Sequence, residues 1–200
     1  MTTPNTEQAA SVVAIPSASL VTQTQLSSAV APLATSAAVV ALTGDQTVAG
    51  TKTFTGPIVP TSTQGIKGTA TNDNAPAGAV GEYVEAIQSS NVSLPNATAT
   101  NITSISLSPG DWDVSGVVVV SGSGAVLNNS LGGVSIVSAT IGALGTYGQL
   151  TVTGHSGITF TVPTSRYTLT TTTTVYLVGY AGFTSGSANG TGKIRARRVR

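Results

Sequence analysis

The sole histidine, His155, lies in the run Gly154-His-Ser-Gly-Ile158, next to Ser156. Serine and histidine this close invite comparison with the nucleophile elbow G-x-S-x-G of serine hydrolases. Ile158 stands where the last glycine should be, and an acyl-transfer triad draws its base from elsewhere in the fold. The expectation is a Gly-rich turn. Asp111 and Asp113 flank Trp112, so on a strand both carboxylates point the same way. That pattern could serve a cation or supply half of a glycosidase pair. Glycoside hydrolysis needs carboxyl groups on opposite sides of the bond, so the pair reads as a strand start after Pro109-Gly110. Glu82 and Glu85 alternate to opposite faces. Cysteine is absent, and no cluster of His and carboxylates has metal-ligand spacing. The expectation is therefore no enzyme, no cofactor and no metal.

Other residues suit recognition better than catalysis. Trp112 could stack on a sugar, but Val114, Val118 and Val120 share its face, which argues for a core position. Tyr147, His155, Asn128 and Asn129 fall in presumed loops and are the candidate receptor contacts. The last eight positions, KIRARRVR, hold five of the eight basic residues. Such a run resembles a nucleic-acid tail. Yet Ile194 and Ala196 alternate with Lys193, Arg195 and Arg197, as in a final strand with one packed face. With no nucleic-acid-binding motif beside it, the reading is arginines paired with Asp or Glu at subunit contacts, and no nucleic-acid partner.

The elements that must position these residues are β-strands. Charged residues make up 8% of the chain, against about 25% in an average globular protein. Val, Thr and Ile fill candidate strands, and Gly, Ser and Asn the turns. From Ile66 onward, strands are predicted at 81–88, 100–107, 111–120, 133–141, 149–153, 157–162, 166–182 (with a break allowed) and 192–199. Turns are predicted at Leu94-Pro95-Asn96, Pro109-Gly110, 121–124, Asn128-Asn129 and Gly154–Gly157. Short strands at this spacing predict an antiparallel sandwich, jelly-roll-like, over 66–200. In 166–182, Leu169, Val175 and Leu177 face one way, and Tyr176, Val178 and Tyr180 the other. A strand apolar on both faces lies between layers or at a subunit contact.

The N-terminal third differs. Residues 1–19 are a polar arm without periodicity, expected to order only by docking on something else. Over 20–41, Leu26, Val30, Leu33, Ala37 and Val40 follow an a/d heptad spacing. Pro32 interrupts it and suits the first turn of a second short helix. So short a helix is marginal alone, which points to self-association. Residues 42–65 contain LTGDQTVAGTKTFTG, where Val48 and Phe54 share one alternation. A short β segment turning at Ala49-Gly50 is expected there. No run of about 18 apolar residues exists, so no membrane insertion is expected. The start lacks a signal-peptide pattern, so the five Asn-x-Ser/Thr sequons at Asn91, Asn96, Asn101, Asn128 and Asn189 are expected to be unglycosylated.

LTGDQTVAGTKTFTGPI resembles a stem segment of bacteriophage tail-fibre and related virion-fibre proteins. GTATNDNAPAGAVGEYVEA resembles the start of their C-terminal domain, and SLSPGDWDVSG and GTGKIRARRVR its middle and end. Four such strings in order, spanning about Leu26 to Arg200, make the similarity fairly specific. The resemblance implies a homotrimeric fibre on the virion exterior. An N-terminal arm would dock on another virion protein, Leu26, Val30, Leu33, Ala37, Val40, Val48 and Phe54 would line a shared axis, and a β head would reach outward. Host surface glycan or lipopolysaccharide is the further partner it suggests. Fibres of this kind usually carry a substantial anchoring domain, whereas only a short lead precedes the heptads here. A short fibre on the capsid (a head fibre) or on the tail is therefore expected. A capsid decoration protein is the alternative, and a carbohydrate depolymerase a more distant one.

Overall fold

A computed structural model describes residues 22–30, 47–59 and 68–200. The chain divides into two compact units, Met1–Gly68 and Thr69–Arg200.

In the first unit, helix α1 spans Gln23–Val30. Its start is a reciprocal cap. The Gln25 amide donates to the Thr22 hydroxyl at 3.1 Å, and the Gln25 side-chain oxygen accepts the Thr22 N–H at 2.8 Å. Two otherwise unpaired helix N-terminal donors are satisfied this way. Leu26 is exposed on this helix. Leu33, Ala37 and Val40 lie outside the described residues. Residues 47–59 form no strand, contrary to the expected β segment. Gly50, at φ 75°, turns the chain, and Lys52 Nζ donates back to the Ala49 carbonyl at 2.7 Å. Among the described residues no strand stands beside this segment as a ladder partner. Val48 and Phe54 are exposed, Phe54 at 66%.

The second unit is an eight-stranded antiparallel sandwich. Its strands are β1 (Tyr83–Leu94), β2 (Thr100–Leu107), β3 (Gly110–Ser123), β4 (Leu127–Ser135), β5 (Tyr147–Leu150), β6 (Gly157–Leu169), β7 (Thr173–Phe183) and β8 (Ser187–Arg198). One sheet has the order β1-β8-β3-β6 and the other β2-β7-β4-β5. The pairs β1/β8, β2/β7, β3/β6 and β4/β5 are nested. They are the rungs of one long hairpin, wound so that successive rungs alternate between the sheets. That winding is a jelly roll. The entry to β1 is fixed by Asn74, whose side chain accepts the Tyr83 N–H at 3.0 Å and donates to the Tyr83 carbonyl at 2.7 Å. A side-chain amide thus supplies both bonds that a neighbouring strand would make.

The core lies between the sheets. Trp112, Val114, Val118 and Val120 of β3 are fully buried, opposite Leu107, Leu127, Val134, Val175 and Leu177 from the second sheet. Strand β7 is apolar on both faces for a reason internal to the chain. It sits between β2 and β4, and outward-facing Val178 has no exposed surface. Its register partner Asn101 donates to Ser138 at 2.7 Å and accepts the Ala139 N–H at 2.7 Å, which draws the loop after β4 across this part of the sheet.

Three strand readings need correction. The segment predicted at 133–141 is β4 at Leu127–Ser135, so Asn128-Asn129 is not a turn. Apolar alternation continues past Ser135, but the Ser135 hydroxyl accepts the Val137 N–H at 3.1 Å and Ala139 takes φ 49°, which carries the chain out of the sheet. Tyr147 lies in β5 rather than a loop. Residues 121–123, read as part of a turn, continue β3 to Ser123, whereas the break allowed within 166–182 falls at Thr170–Thr172, between the end of β6 and the start of β7.

Candidate functional site

The charged residues of the sandwich concentrate on the sheet β1-β8-β3-β6 and the chain ends flanking it. The sheet β2-β7-β4-β5 carries no Asp, Glu, Lys or Arg in any strand. Strand β8 brings the basic run into the middle of the first sheet, between β1 and β3. Ile194 and Ala196 point inward and are buried, and Arg198 shares their parity and is 5% exposed.

Arg198 is consumed by the fold. Its Nε donates to Glu82 Oε2 at 2.9 Å, Nη1 to the Pro109 carbonyl at 2.9 Å and Nη2 to Ser108 Oγ at 2.6 Å. Its guanidinium stacks 4.4 Å from the Trp112 ring centroid, and Trp112 Nε1 donates to the Ser108 carbonyl at 3.0 Å. Glu82 also accepts the Gly78 N–H at 2.8 Å. That bond, with Arg198, holds its carboxyl below the ordinary 4.5 against the opposing effect of burial. Gly110 makes room: it has φ 146°, and a Cβ there would run into the Arg198 guanidinium.

Asp111 is the hub of a second set. Arg166 donates to both of its oxygens, through Nε at 2.7 Å and through Nη2. Arg200 Nε adds a bond at 2.7 Å. The Arg166 bonds hold the Asp111 carboxyl below its ordinary range, burial opposes them, and Arg200 reinforces them. Asp111 and Asp113 are therefore not a free carboxylate pair. The pairs expected at subunit contacts for the arginines of the terminal run instead form within one chain for Arg198 and Arg200. Glu85, on the opposite strand face from Glu82, accepts from Lys193 Nζ at 2.6 Å and from the Tyr83 hydroxyl at 2.6 Å.

His155 lies in the turn before β6. Its Nδ1–H donates to the Val152 carbonyl at 2.6 Å, so in the neutral ring Nε2 accepts from the Ser130 hydroxyl at 3.0 Å. The serine it meets is not its chain neighbour Ser156. Ser130 has no exposed surface, so its oxygen is closed to a substrate carbonyl, and the contact pins the β5–β6 turn to β4. Asn129 Oδ1 accepts from Gln149 Nε2 and the Thr151 hydroxyl, each at 3.2 Å. Asn128 precedes it on β4, and Tyr147 lies further along, opposite Gly133. The structure thus brings Asn128, Asn129 and His155 to one end of β4 and sets Tyr147 toward the other. Among the described residues, no three of His, Asp and Glu are grouped to hold a metal ion. No helix there is long and apolar enough to cross a membrane.

A shallow groove on the outer face of the first sheet was missed from sequence. A bulge lies there. Val114 pairs with Ser165 and Gly116 with Val162, so Pro163 and Thr164 of β6 stand opposite the single residue Ser115 of β3. The resulting depression, about 290 Å³, is lined by Ser115–Val117, Thr161–Thr164, Lys193 and Arg195. Prolines and glycines within strands mark such places, and Gly116 and Pro163 were the available signals.

No family model and no curated protein matches the chain. Similar solved structures include that of the infectious bursal disease virus Gx strain, at 9% identity and TM-score 0.41, covering 59% of this chain and 33% of the other. The VP2 subviral particle of the same virus matches at 10% identity and TM-score 0.30, covering 59% and 32%. A structure of disulfide-linked Bacillus endospore appendage pili matches at 16% identity and TM-score 0.33, covering 65% of this chain and all of the other. The chain spans about a third of the length of the bursal disease virus chains it matches.

Proposed function

We propose that the chain is a structural bacteriophage virion protein, a short homotrimeric fibre mounted on the capsid or tail, whose β head aids adsorption to the host surface. The observation that carries this reading is the exposure of apolar side chains before the head. Phe54, Ile58 and Val59 are 66%, 62% and 75% exposed, and Leu26 and Val48 nearly half. Burying one such side chain fully is worth about 1.5–3 kcal/mol, which three copies around one axis can recover. The resemblance of the stem and head strings to virion-fibre proteins supports the same reading. The charges of Glu82, Asp111, Arg166 and Arg198 bind one another, which suits a rigid structural head more than a catalytic one. Removing residues 1–19 should leave a folded trimer that no longer joins the particle, and an antibody to the head should label intact virions. Normal incorporation of the truncated chain would exclude the arm as anchor. A head shielded from antibody would exclude outward display.

A further inference from the structure

We propose that the groove across β3, β6 and β8 binds a phosphate group carried by a saccharide. The inference rests on the reading of the head as a host-contacting element and names the chemistry of that contact. Among the described arginines, Arg166, Arg198 and Arg200 are held by carboxylates. Arg195 is not. Its Nε donates to Ser115 Oγ at 3.0 Å, which orients the guanidinium. Among the described residues, its terminal nitrogens have no protein acceptor. Lys193 stands at the same rim, held by Glu85. An aimed guanidinium fork matches a phosphate in two parallel charge-assisted bonds.

The rest of the lining fits a sugar. Ser115, Thr161 and Thr164 offer hydroxyls, while Val117 and Pro163 give small apolar surface. The bulge interrupts the β3–β6 ladder at Pro163–Thr164, while Ser115 keeps its register with Arg195. Nucleic acid fits less well. Its affinity comes from many phosphates each meeting a cation, whereas this face interleaves its cations with Glu85, Asp111 and Asp113.

The test is titration of the purified full-length protein with four probes: a phosphate-substituted oligosaccharide, the same oligosaccharide without phosphate, inorganic phosphate and a single-stranded oligonucleotide. The phosphorylated sugar should bind at one site per chain and weaken as salt rises. The unsubstituted sugar should not bind measurably, and inorganic phosphate should bind much more weakly. Arg195→Gln should weaken binding at least about tenfold. Arg197→Gln, on the same strand face but outside the groove, should change it less than about twofold. Both variants should keep the wild-type melting curve. The proposal fails if the wild type ignores the phosphorylated sugar, if free phosphate or a single-stranded oligonucleotide binds as well, or if both substitutions act alike. These outcomes are independent of whether the chain is a trimer or joins the virion, which sedimentation and particle labelling decide separately.

Discussion

Replacing Arg198 with methionine is the sharpest test of how the head is held together. The substitution removes the partner of Glu82, whose side chain is 12% exposed. It also leaves the Pro109 carbonyl and the Ser108 hydroxyl without their donor. Breaking one side of a buried pair costs about 3–5 kcal/mol. Loss of the guanidinium over Trp112 adds about 0.5–2 kcal/mol, while the methionine chain restores some packing. A net loss of about 4 kcal/mol corresponds to a urea midpoint lower by about 2 M at a slope near 2 kcal/mol/M. Trp112 is the only tryptophan and lies directly under Arg198, so its fluorescence reports the event. Curves must be compared at one protein concentration, because assembly raises apparent stability. Arg197→Met, exposed on the opposite face of the same strand, should shift the curve by less than about 0.5 kcal/mol. The double replacement Glu82→Met/Arg198→Met should recover most of the loss, since well-packed apolar pairs often match buried ion pairs. A single Arg198→Met shift no larger than that of Arg197→Met would refute this role of Arg198.

Gly110→Ala should destabilise the head by at least about 2 kcal/mol, because it combines an unfavourable φ with a clash against Arg198. An unchanged thermal midpoint would contradict that. Acid should unfold the head through Glu82 and Asp111. Both carboxyls are held below their ordinary values of 4.5 and 3.8, so their contribution is complete above about pH 4.5 and is lost as pH falls through the lower folded-state values. Denaturation at a series of pH values should show that decline. Stability that rises on acidification through this window would show that the sign is wrong. Phe54→Asp should weaken self-association without moving the head's unfolding curve, since a charge on a shared axis lacks a partner there; equal sedimentation of variant and wild type would argue against the stem.

Much of the sandwich was legible because period-2 alternation is a local signal. Trp112, Val114, Val118 and Val120 announce one buried face, and that face is the centre of the core. Asn128-Asn129 misled, because the same residue types serve turns and the half-buried outer positions of a strand beside a bulge, where β4 shifts register between Leu127 and Asn129. Pairing was not legible: nothing local in β1 says that its partner is β8 at the far end of the chain. The Arg198 cluster was half visible. Arg198 shares parity with Ile194 and Ala196, which places it on the packed face, but its acceptors at Glu82 and Pro109 come from the other end of the domain. The Ser130–His155 contact likewise joins two elements that only the winding brings together. The Thr22–Gln25 cap, by contrast, was written in the sequence as a Thr-x-x-Gln signature.

The central claim is that three chains share the stem. Light scattering on the purified full-length protein across the micromolar range tests it most directly. The account predicts the mass of three 19.8 kDa chains, constant on dilution, with Phe54→Asp reducing it. A stable monomer at these concentrations, with the head folded, would contradict the account.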